Sequence, residues 1–348
     1  MKGILLHGGS GTRLRPFTYS DVKQLLPVAG KPVSEYALKN MIDIGIKDFA
    51  IIIGNIGGEE VKNYYGNGEK WDISIEYIYQ DKPLGIAHAI YLAKDFIKNS
   101  DFVAYLGDNI VQNGIKNMYN EFIKNYYDAF LLLANVKDPR RFGVAEVYNN
   151  KIINLVEKPE NPKSDLALVG VYFLKPDIFN IISNLKPSLR GELEITDALK
   201  MLLNNNKNIG YSIVNGWWKD TGTPDEFLDC NRLILDEINN NISNINIKGR
   251  IIIEKNAIID DKSKIFGPCY IGKNTKIENS VIRPYTSIGN NCHIKNSEIE
   301  DSVIMDNTNI NYYGKRISES IIGPYANIEK NENNNINLIL GRDSKIRL

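Results

Sequence analysis

Cysteine is scarce in this chain, whose 348 residues include three: Cys230, Cys269 and Cys292. An odd number of widely separated cysteines gives neither a disulfide framework nor the paired spacing of a zinc site. We therefore expect reduced, inert thiols in a cytoplasmic protein. Histidine is equally scarce, with three residues in the whole chain, which excludes a histidine-rich metal site.

The chain also lacks an excess of charge of either sign and a long apolar run. It has 42 basic and 42 acidic residues, which argues against nucleic acid or an anionic membrane surface as its main partner. Any phosphate binding must then be local. No apolar run approaches the roughly 18 residues that a membrane span needs, and the first residues read as a strand rather than a signal peptide.

A glycine-rich loop follows the first apolar strand and is the most informative feature of the sequence. It reads Gly-Gly-Ser-Gly-Thr-Arg over residues 8–13. Glycine permits positive φ angles and leaves the backbone amides bare, so such a loop can wrap a phosphate chain. Arg13 and, further along, Lys23 would place positive charge on those phosphates.

Two commoner nucleotide loops are excluded by residue type. A P-loop needs Gly-Lys-Ser/Thr after a four-residue gap, and the loop has no such triplet. The dinucleotide fingerprint needs a third glycine three positions after the second, where Leu14 stands in this chain. The loop therefore indicates a different class of nucleotide site.

Short apolar strands alternate with amphipathic helical patterns over the first two thirds of the chain. The pattern predicts strands at 3–6, 49–53, 75–79, 102–106, 130–136, 168–174 and 210–214, and helices at 34–44, 85–98, 114–125 and 193–204. This alternation is typical of an α/β fold with a mostly parallel sheet and helices on both faces. Ligands bind such sheets at the carboxyl ends of strands, where the glycine loop and Asp108 both fall.

Isoleucine recurs at a six-residue step beyond about residue 240. The series runs through Ile247, Ile253, Ile259, Ile265, Ile271 and Ile277, resumes at Ile282, Ile288 and Ile294, and includes the pairs Ile304–Ile310 and Ile322–Ile328. This period is typical of a hexapeptide β-helix, in which each aliphatic residue fills the interior of one face. It predicts roughly four to five coils, with the abundant asparagines at turns that need left-handed backbone angles.

Further motifs follow the glycine loop in a fixed order. They are Lys23–Pro27, Gln80, Pro83–Ala89, Leu106–Asn109, Phe142–Glu146, Glu157–Pro159, Arg190–Asp197 and Trp217–Thr223. Together they resemble the sugar-nucleotide pyrophosphorylases, and most closely the long form of the glucose-1-phosphate thymidylyltransferases. The resemblance implies a Rossmann-like nucleotidyltransferase domain with a mixed, mostly parallel sheet over residues 1–240, and the repeat predicts a left-handed parallel β-helix over 241–348.

The resemblance implies Mg²⁺-dependent nucleotidyl transfer, in which glucose-1-phosphate attacks the α-phosphorus of dTTP and pyrophosphate leaves. The attacking phosphate oxygen is already an anion, so catalysis rests on positioning and electrostatic stabilisation. By the resemblance Arg13, Lys23 and Asp108 are catalytic, and Asp108 and Asp220 hold the metal ion. Magnesium commonly takes one or two carboxylates together with phosphate oxygens.

The resemblance also assigns two binding regions. The nucleotide region comprises Gly8, Gly9, Gly11, Thr12, Arg13, Gln24, Gln80 and Gly85, and the sugar-phosphate region comprises Gly143, Glu157, Lys158, Gly170 and Arg190. The amide of Gln80 donates and accepts at once, which suits the mixed edge of a pyrimidine. His7 and His88 stand where related enzymes have other residues, and we expect both to pack rather than bind.

Three alternatives remain open from the sequence. A uridylyltransferase would differ only in rejecting or accepting one methyl of the base, worth about 1–3 kcal/mol in a pocket. The β-helix could carry a second, acyltransferase activity with His293 as its base. A non-catalytic subunit is the third, although Arg13, Lys23, Asp108 and Asp220 are all present. The flat faces of a β-helix also predict a homo-oligomer.

Overall fold

The computed structural model describes residues 1–9, 11–19, 22–312 and 314–329. The chain folds into two compact units, each built from separate segments. The unit called the sheet unit below holds residues 1–10, 20–25 and 33–220, and the unit called the coil unit holds 11–19, 26–32 and 221–348. Two short segments from the start of the chain thus belong with its C-terminal part. The domain boundary expected near residue 240 stays a prediction.

The first thirteen strands and the helices lie within residues 1–236. The strands are β1 (Lys2–Leu6), β2 (Pro27–Val28), β3 (Lys31–Pro32), β4 (Asp48–Gly54), β5 (Ser74–Gln80), β6 (Phe102–Leu106), β7 (Asn109–Val111), β8 (Ala129–Asn135), β9 (Gly143–Tyr148), β10 (Lys151–Glu157), β11 (Leu166–Leu174), β12 (Ile209–Ile213) and β13 (Trp218–Asp220). The helices are α1 (Val33–Ile42), α2 (Gly58–Tyr65), α3 (Ile86–Leu92), α4 (Lys94–Ile97), α5 (Lys116–Lys124), α6 (Ile178–Ile182), α7 (Ile195–Asn204) and α8 (Pro224–Asp236). Across the described residues, no helix combines the length and hydrophobicity that crossing a membrane requires.

The main sheet of the sheet unit is mixed. Its strands run in the order β10-β9-β11-β6-β1-β4-β5, with β8 on β11 and β12 on β8. The pairs of β1 with β4 and β6, of β4 with β5 and of β8 with β12 are parallel. Strand β11 is antiparallel to β6, β8 and β9. This architecture confirms the predicted α/β fold.

Helices cover both faces of this sheet, because successive side chains of a strand point to opposite sides. Ile4 and Leu6 of β1 pack in one core with residues of α3, α6 and α7. Leu5, between them, packs in a second core with residues of α1, α2 and α5. Both faces are buried, which is why these strands read as continuous apolar runs.

A separate two-stranded pair, β7 with β13, was not predicted. Each strand has three residues, too few to give a periodic signal in the sequence. In their antiparallel register Asp220 lies opposite Asn109. The pair therefore brings the segment around Asp220 next to the segment that follows β6.

The coil unit contains a parallel β-helix. Its strands are β14 (Asn241–Ser243), β15 (Ile247–Ile253), β16 (Ile258–Ile259), β17 (Lys264–Phe266), β18 (Cys269–Ile271), β19 (Lys276–Glu278), β20 (Val281–Ile282), β21 (Thr286–Ile288), β22 (His293–Lys295), β23 (Glu298–Glu300), β24 (Val303–Ile304), β25 (Asn309–Asn311), β26 (Ile317–Ser318), β27 (Ile321–Ile322) and β28 (Asn327–Glu329). From β15 onward, strands of successive coils pair in parallel along three ladders. This confirms the β-helix that the six-residue period predicted.

Isoleucines stack from coil to coil inside the three faces. One stack is Ile247, Ile265, Ile282, Ile299 and Ile317, the second is Ile253, Ile271, Ile288, Ile304 and Ile322, and the third is Ile259, Ile277, Ile294, Ile310 and Ile328. Ile299 and Ile317 were absent from the predicted series, because the steps on either side of them are five or seven residues. The described residues thus form five coils, within the predicted range.

Asparagines occupy corners of the coils, as predicted. Asn256, Asn274, Asn291 and Asn307 have φ angles of 62°, 56°, 54° and 61°. Each of the first three donates from Nδ2 to the Oδ1 of the next, at 3.2, 3.0 and 3.3 Å. Asparagine tolerates the left-handed conformation and pairs with its own kind along a ladder, so it suits these corners better than other residues do.

The three cysteines are buried free thiols. Burial raises the pKa of Cys269 to about 12 and that of Cys292 to about 11. The reactive form of a cysteine is the thiolate, which such pKa values suppress at neutral pH. The two thiols in the β-helix are therefore unreactive and pack in its interior, as the sequence predicted.

Candidate active site

The glycine loop begins at the end of β1, where a buried glutamine supports it. Gln24 donates from Nε2 to the backbone oxygen of Gly8 at 2.9 Å, and its own backbone oxygen accepts from Ser34 Oγ at 3.0 Å. Gly9 has a φ of 103°, in the region that favours glycine. Gln24 is 1% exposed, so its side chain holds the loop backbone, and the nucleotide contact predicted for it stays a prediction.

A buried ion pair joins Lys23 to Asp108. Lys23 Nζ donates to Asp108 Oδ2, and the two side chains are 13% and 12% exposed. Asp108 follows β6, the parallel neighbour of β1, so both the carboxylate and the start of the glycine loop lie at carboxyl ends of adjacent strands. Burial alone would raise the pKa of Asp108, but the charge and hydrogen bond of Lys23 outweigh it and hold that pKa below its usual range. Asp108 is therefore ionised at neutral pH.

Asn109 connects Asp108 to two other parts of the sheet unit. Its Nδ2 donates to Asp108 Oδ1 at 2.8 Å, and its Oδ1 accepts from Trp218 Nε1 at 2.7 Å and from the backbone nitrogen of Gly170 at 3.2 Å. No role was predicted for Asn109, although it lies in the same motif as Asp108. Because Gly170 belongs to the predicted sugar-phosphate region, Asn109 links that region to the predicted metal carboxylate.

Asp108 and Asp220 are the carboxylates that the β7–β13 pair brings into neighbouring positions, since Asp220 lies opposite Asn109. Among the described residues, no group of three or more His, Cys, Asp or Glu side chains is arranged to hold a metal ion. Two carboxylates suit magnesium, which completes its shell with phosphate oxygens and water in nucleotide sites. This donor set fits a cation that binds together with a phosphorylated ligand.

Gln80 ends β5 with its amide held in one orientation. Its Nε2 donates to the backbone oxygen of Gly85 at 3.3 Å and lies 3.0 Å from His88 Nδ1. The Gly85 oxygen can only accept, so the amide nitrogen faces that side and His88 Nδ1 serves as an acceptor. Gln80 Oε1 lies toward Gly8, 3.3 Å from where a Cβ on that glycine would stand. The packing role expected for His88 was incomplete, since His88 also orients Gln80.

Glu157, at the end of β10, is the centre of the predicted sugar-phosphate region. Its Oε2 accepts from Thr196 Oγ1 at 2.6 Å. Its Oε1 lies 3.5 Å from Arg190 Nη1 and 3.7 Å from Lys158 Nζ. The structure therefore brings Glu157, Lys158 and Arg190 together, and their role toward a sugar phosphate stays a prediction. Thr196 had no predicted role, since a threonine inside a helical motif gives no separate signal.

Arg190 is shared among three carboxylates. Besides Glu157, it contacts Glu192 Oε1 at 3.1 Å and Glu194 Oε1 at 3.2 Å, and its side chain is 42% exposed. Burial raises the pKa of Glu194, and the negative charge of Glu157 raises it further. This end of the sheet unit thus has an excess of carboxylates around one exposed guanidinium.

Three of the predicted binding glycines lie where a side chain would not fit. A Cβ on Gly143 would lie 2.6 Å from Thr196 Oγ1, and one on Gly170 would lie 2.6 Å from Leu106 Cδ1. A Cβ on Gly85 would lie 2.5 Å from the backbone oxygen of Leu193. Packing alone explains glycine at these positions, so the ligand contacts expected of them stay predictions.

The remaining predicted residues, Gly11, Thr12 and Arg13, lie in the coil unit. Gly11, with a φ of 58°, precedes a single 3₁₀ turn over Thr12–Leu14. Its backbone oxygen accepts from Thr18 Oγ1 at 2.7 Å. Thr12 and Arg13 are exposed, whereas Lys23 is buried, so the two predicted catalytic cations differ in environment.

His7 is buried directly before the glycine loop and packs against Tyr65, as the expected packing role implies. It is 4% exposed, and its ring meets the ring of Tyr65 edge-on with 5.7 Å between centroids. Burial lowers the pKa of His7 to about 3, although the charge of Asp108 acts in the opposite direction. His7 is therefore neutral wherever the protein is folded at physiological pH.

Two family models match the chain. Residues 2–237 match the family described as nucleotidyl transferase, and residues 247–347 match the GMPPB C-terminal domain. The chain belongs to the nucleotidyl transferase family. The glycine loop and the Lys23–Asp108 pair, at adjacent strand ends, therefore lie within the nucleotidyltransferase part of the chain.

Curated relatives and solved structures agree with this family. The chain is 40% identical to the low-salt glycan biosynthesis nucleotidyltransferase Agl11 of Haloferax volcanii, covering 100% of both chains. It is 40% identical to the glucose-1-phosphate thymidylyltransferase of Streptomyces antibioticus, covering 100% of this chain and 99% of that one. A Bacillus anthracis protein assigned to the glucose-1-phosphate thymidylyltransferases and solved with sucrose is 40% identical, with a TM-score of 0.64, covering 70% of this chain and 98% of that one. These likenesses confirm the resemblance found in the sequence and the predicted enzyme class.

Proposed function

We propose that this nucleotidyltransferase joins glucose-1-phosphate to dTTP, forming dTDP-glucose and pyrophosphate. A phosphate oxygen of the sugar phosphate forms a bond to the α-phosphorus, and the bond from that phosphorus to the oxygen bridging to the β-phosphate breaks. Both electrons of the broken bond leave with pyrophosphate, so no oxidant or reductant is needed. The observation that carries the proposal is the buried Lys23–Asp108 pair at the strand ends beside the glycine loop.

The charges of this pair suit the reaction. Lys23 is a compact cation, which fits the growing negative charge on the phosphates. The charge of Lys23 keeps Asp108 ionised in the unliganded protein, so the carboxylate needs no proton loss before it acts. Arg13, exposed in the coil unit, is the second cation that we assign to the triphosphate and the leaving pyrophosphate.

Enzymes of this family generally use a divalent metal ion, and we propose Mg²⁺ for this chain. Asp108 and Asp220 would hold it, with phosphate oxygens completing the shell. When bound, the ion supplies positive charge that offsets the charge of the triphosphate. The two carboxylates themselves position that charge at the edge of the sheet unit where Lys23 lies.

The sugar phosphate is assigned to the group around Glu157. Thr196 fixes one carboxylate oxygen of Glu157 at 2.6 Å, which leaves the other oxygen to accept from a sugar hydroxyl. Lys158 and Arg190 are exposed enough to turn from Glu157 toward a phosphate. Arginine binds phosphate in a bidentate manner that its present contacts with single oxygens do not use.

The base is assigned to Gln80. Because its Nε2 is engaged by Gly85 and His88, Oε1 is the atom left to accept from a ligand. Thymine and uracil both carry a donor at N3, whereas cytosine carries an acceptor there. Gln80 therefore selects thymine or uracil over cytosine, and the choice between thymine and uracil rests on the methyl group alone.

The test is pyrophosphate release with glucose-1-phosphate and Mg²⁺, measured in parallel with dTTP, UTP and CTP. We expect release with dTTP, less with UTP and least with CTP. Equal rates with dTTP and UTP would make the enzyme a general pyrimidine nucleotidyltransferase. No release with any of the three would overturn glucose-1-phosphate as the acceptor or dTTP as the donor, and a screen of other sugar phosphates would then follow.

We also propose that the protein self-associates through its β-helix. The flat faces of such an array favour symmetric packing between copies. Light scattering of the full chain tests this, because a monomeric mass at micromolar concentration would contradict it.

A further inference from the structure

The segment that follows Lys23 and Gln24 forms a hairpin inside the coil unit. Strands β2 and β3 pair with Val28 opposite Lys31, and the turn between them consists of Ala29 and Gly30, with φ angles of 45° and 80°. Two successive positive φ angles are typical of the tight type I′ turn. The position of this turn is therefore narrowly defined by its backbone.

The β-helix packs directly against this turn. A Cβ on Gly30 would lie 2.0 Å from Cζ of Tyr270, so the ring of Tyr270 occupies the space where a side chain would stand. Tyr270 is in β18, on the ladder of the second isoleucine stack. Only glycine at position 30 permits this approach between the turn and the β-helix.

Asn231, in α8, joins the turn to the β-helix through its buried amide. Its Oδ1 accepts from the backbone nitrogen of Ala29 at 3.1 Å and from Ser287 Oγ at 2.7 Å. Its Nδ2 donates to the backbone oxygen of Tyr285 at 3.0 Å. Asn231 is 1% exposed, so each of these hydrogen bonds replaces water that cannot reach the site.

The segment on the other side of Lys23 also belongs to the coil unit. A Cβ on Gly323 would lie 3.5 Å from the ring of Phe17, a distance of ordinary contact. Gly323 follows β27, on the same ladder as Tyr270 and Ser287. One face of the β-helix thus contacts the chain both before and after Lys23.

We propose that the β-helix positions the two segments on either side of Lys23, residues 11–19 and 26–32, for phosphate binding, and that Asn231 is the positioning residue through which it acts. The inference rests on the proposed function, since it assigns the segments around Lys23 to the nucleoside triphosphate. Asn231 accepts a hydrogen bond from Ala29 of the hairpin that follows Lys23 in sequence. The segment that includes Phe17 carries Arg13. Changes at the contacts of Asn231 and Tyr270 with the hairpin then alter nucleotide binding without touching any residue assigned to the sugar phosphate.

The test compares two full-length variants that each lose buried hydrogen bonds of the coil unit. Asn231→Leu removes all three contacts of the amide. Thr275→Val is the matched control, because Thr275 Oγ1 donates to the backbone oxygen of Gly289 at 2.7 Å and accepts from the nitrogen of Cys292 at 3.1 Å, inside the β-helix and away from the turn. Thermal unfolding, dTTP binding by calorimetry and steady-state kinetics are measured on both.

We expect Asn231→Leu to raise both the Kd and the KM for dTTP roughly tenfold, a change typical of one lost positioning contact. Its KM for glucose-1-phosphate should stay within about twofold. Thr275→Val should lower the unfolding temperature without moving either constant for dTTP. Unchanged dTTP binding in a folded Asn231→Leu protein would overturn the inference.

Two further measurements keep the inference separate from folding and from the proposed function. If Asn231→Leu does not fold, Tyr270→Leu, which removes only the ring against Gly30, should give the same rise for dTTP, and no rise there would equally overturn the inference. Wild-type protein that binds dTTP but releases no pyrophosphate would remove the proposed function, while weaker dTTP binding by the variant would still support the positioning role.

Discussion

Two carboxylates of the sheet unit, Asp108 and Glu157, have opposite kinds of support. Asp108 is paired with one buried lysine, Lys23. Glu157 faces two half-exposed cations at 3.5 and 3.7 Å and is fixed instead by a neutral hydroxyl. Exposed ion pairs are worth about 0–1 kcal/mol, whereas breaking a buried pair costs about 3–5 kcal/mol. Asp108 is thus fixed by charge, whereas Lys158 and Arg190 beside Glu157 stay available for a ligand.

Replacing Asp108 with asparagine should have the largest effect. Asp108→Asn leaves Lys23 buried beside a neutral group, so we expect a loss of about 3–5 kcal/mol in the free energy of unfolding and a fall in kcat of about 10²–10³-fold. Urea denaturation and pyrophosphate release measure the two effects. Asp177→Asn, at a carboxylate paired with Lys207 on the surface, is the control. Near-normal turnover in Asp108→Asn would remove the metal assignment.

The free energy of unfolding should fall in acid, because His7 is buried in its neutral form near Asp108. The pKa of His7 falls from 6.5 to about 3 on folding, so the unfolded chain binds a proton that the folded chain does not. Stability should therefore decrease as pH falls below 6.5, by about 2 kcal/mol at pH 5. The lowered pKa of Asp108 gives stability that is present above 3.8 and lost as pH falls below it, so it does not contribute in this window.

Urea denaturation at pH 7 and pH 5 measures the loss of stability that we assign to His7. His7→Leu should abolish most of the difference between the two pH values, because leucine fills the site without a titrating group. Thr275→Val, which removes buried hydrogen bonds of the β-helix but no titrating group, should leave the difference unchanged. An equal slope in wild type and His7→Leu would mean that His7 is not the group that titrates.

With Glu157 proposed to bind the sugar phosphate, Glu157→Gln should raise the KM for glucose-1-phosphate about tenfold while leaving stability nearly unchanged. The amide keeps one acceptor for Thr196 but no longer attracts Lys158 and Arg190. Steady-state kinetics with each substrate varied in turn separates the two constants. A rise in the KM for dTTP instead would show that Glu157 contributes to nucleotide binding. It would contradict the different roles proposed for Glu157 and Asp108.

The smallest effect is expected at His88. His88→Ala frees Nε2 of Gln80 from one of its two partners, so the amide can turn and present a donor to the base. We expect the preference for dTTP over CTP to fall about fivefold to tenfold, since one oriented hydrogen bond is worth about 1 kcal/mol. His88→Gln, which can still accept from Gln80, should recover much of that preference. Unchanged base selectivity in both variants would contradict the orienting role.

The parts of the fold that the sequence predicted are those with a local period. Each face of the β-helix needs an aliphatic residue at a nearly fixed step, so the sequence predicted most of the isoleucine stacks. Ile299 and Ile317 were missed because the step changes beside them. The strands at 3–6 and 102–106 were readable because both of their faces are buried. The three-residue strands β7 and β13 gave no period and were missed.

The predicted site residues were found through motifs, but the contacts between them were not. The Lys23–Asp108 pair joins positions 85 residues apart, one of them in a short turn outside the strands, so no local pattern indicates it. Thr196 contacts Glu157 because α7 packs against β10, the strand that ends at Glu157. Asn231 lies in no motif, and its contacts join a turn, a helix and a coil that meet only in the folded chain.

The regular rise of the β-helix fixes the distance between two of its contacts, those of Tyr270 with Gly30 and of Gly323 with Phe17. Tyr270 and Gly323 lie on the same ladder, three coils apart, and neighbouring strands are about 4.8 Å apart, so the two contacts are separated by about 14 Å along the axis. That separation can change only in whole coils. An insertion or deletion of one coil between them would therefore move one of the two contacts by about 4.8 Å, so the number of coils between Tyr270 and Gly323 is set by the positions of Gly30 and Phe17 as well as by the β-helix.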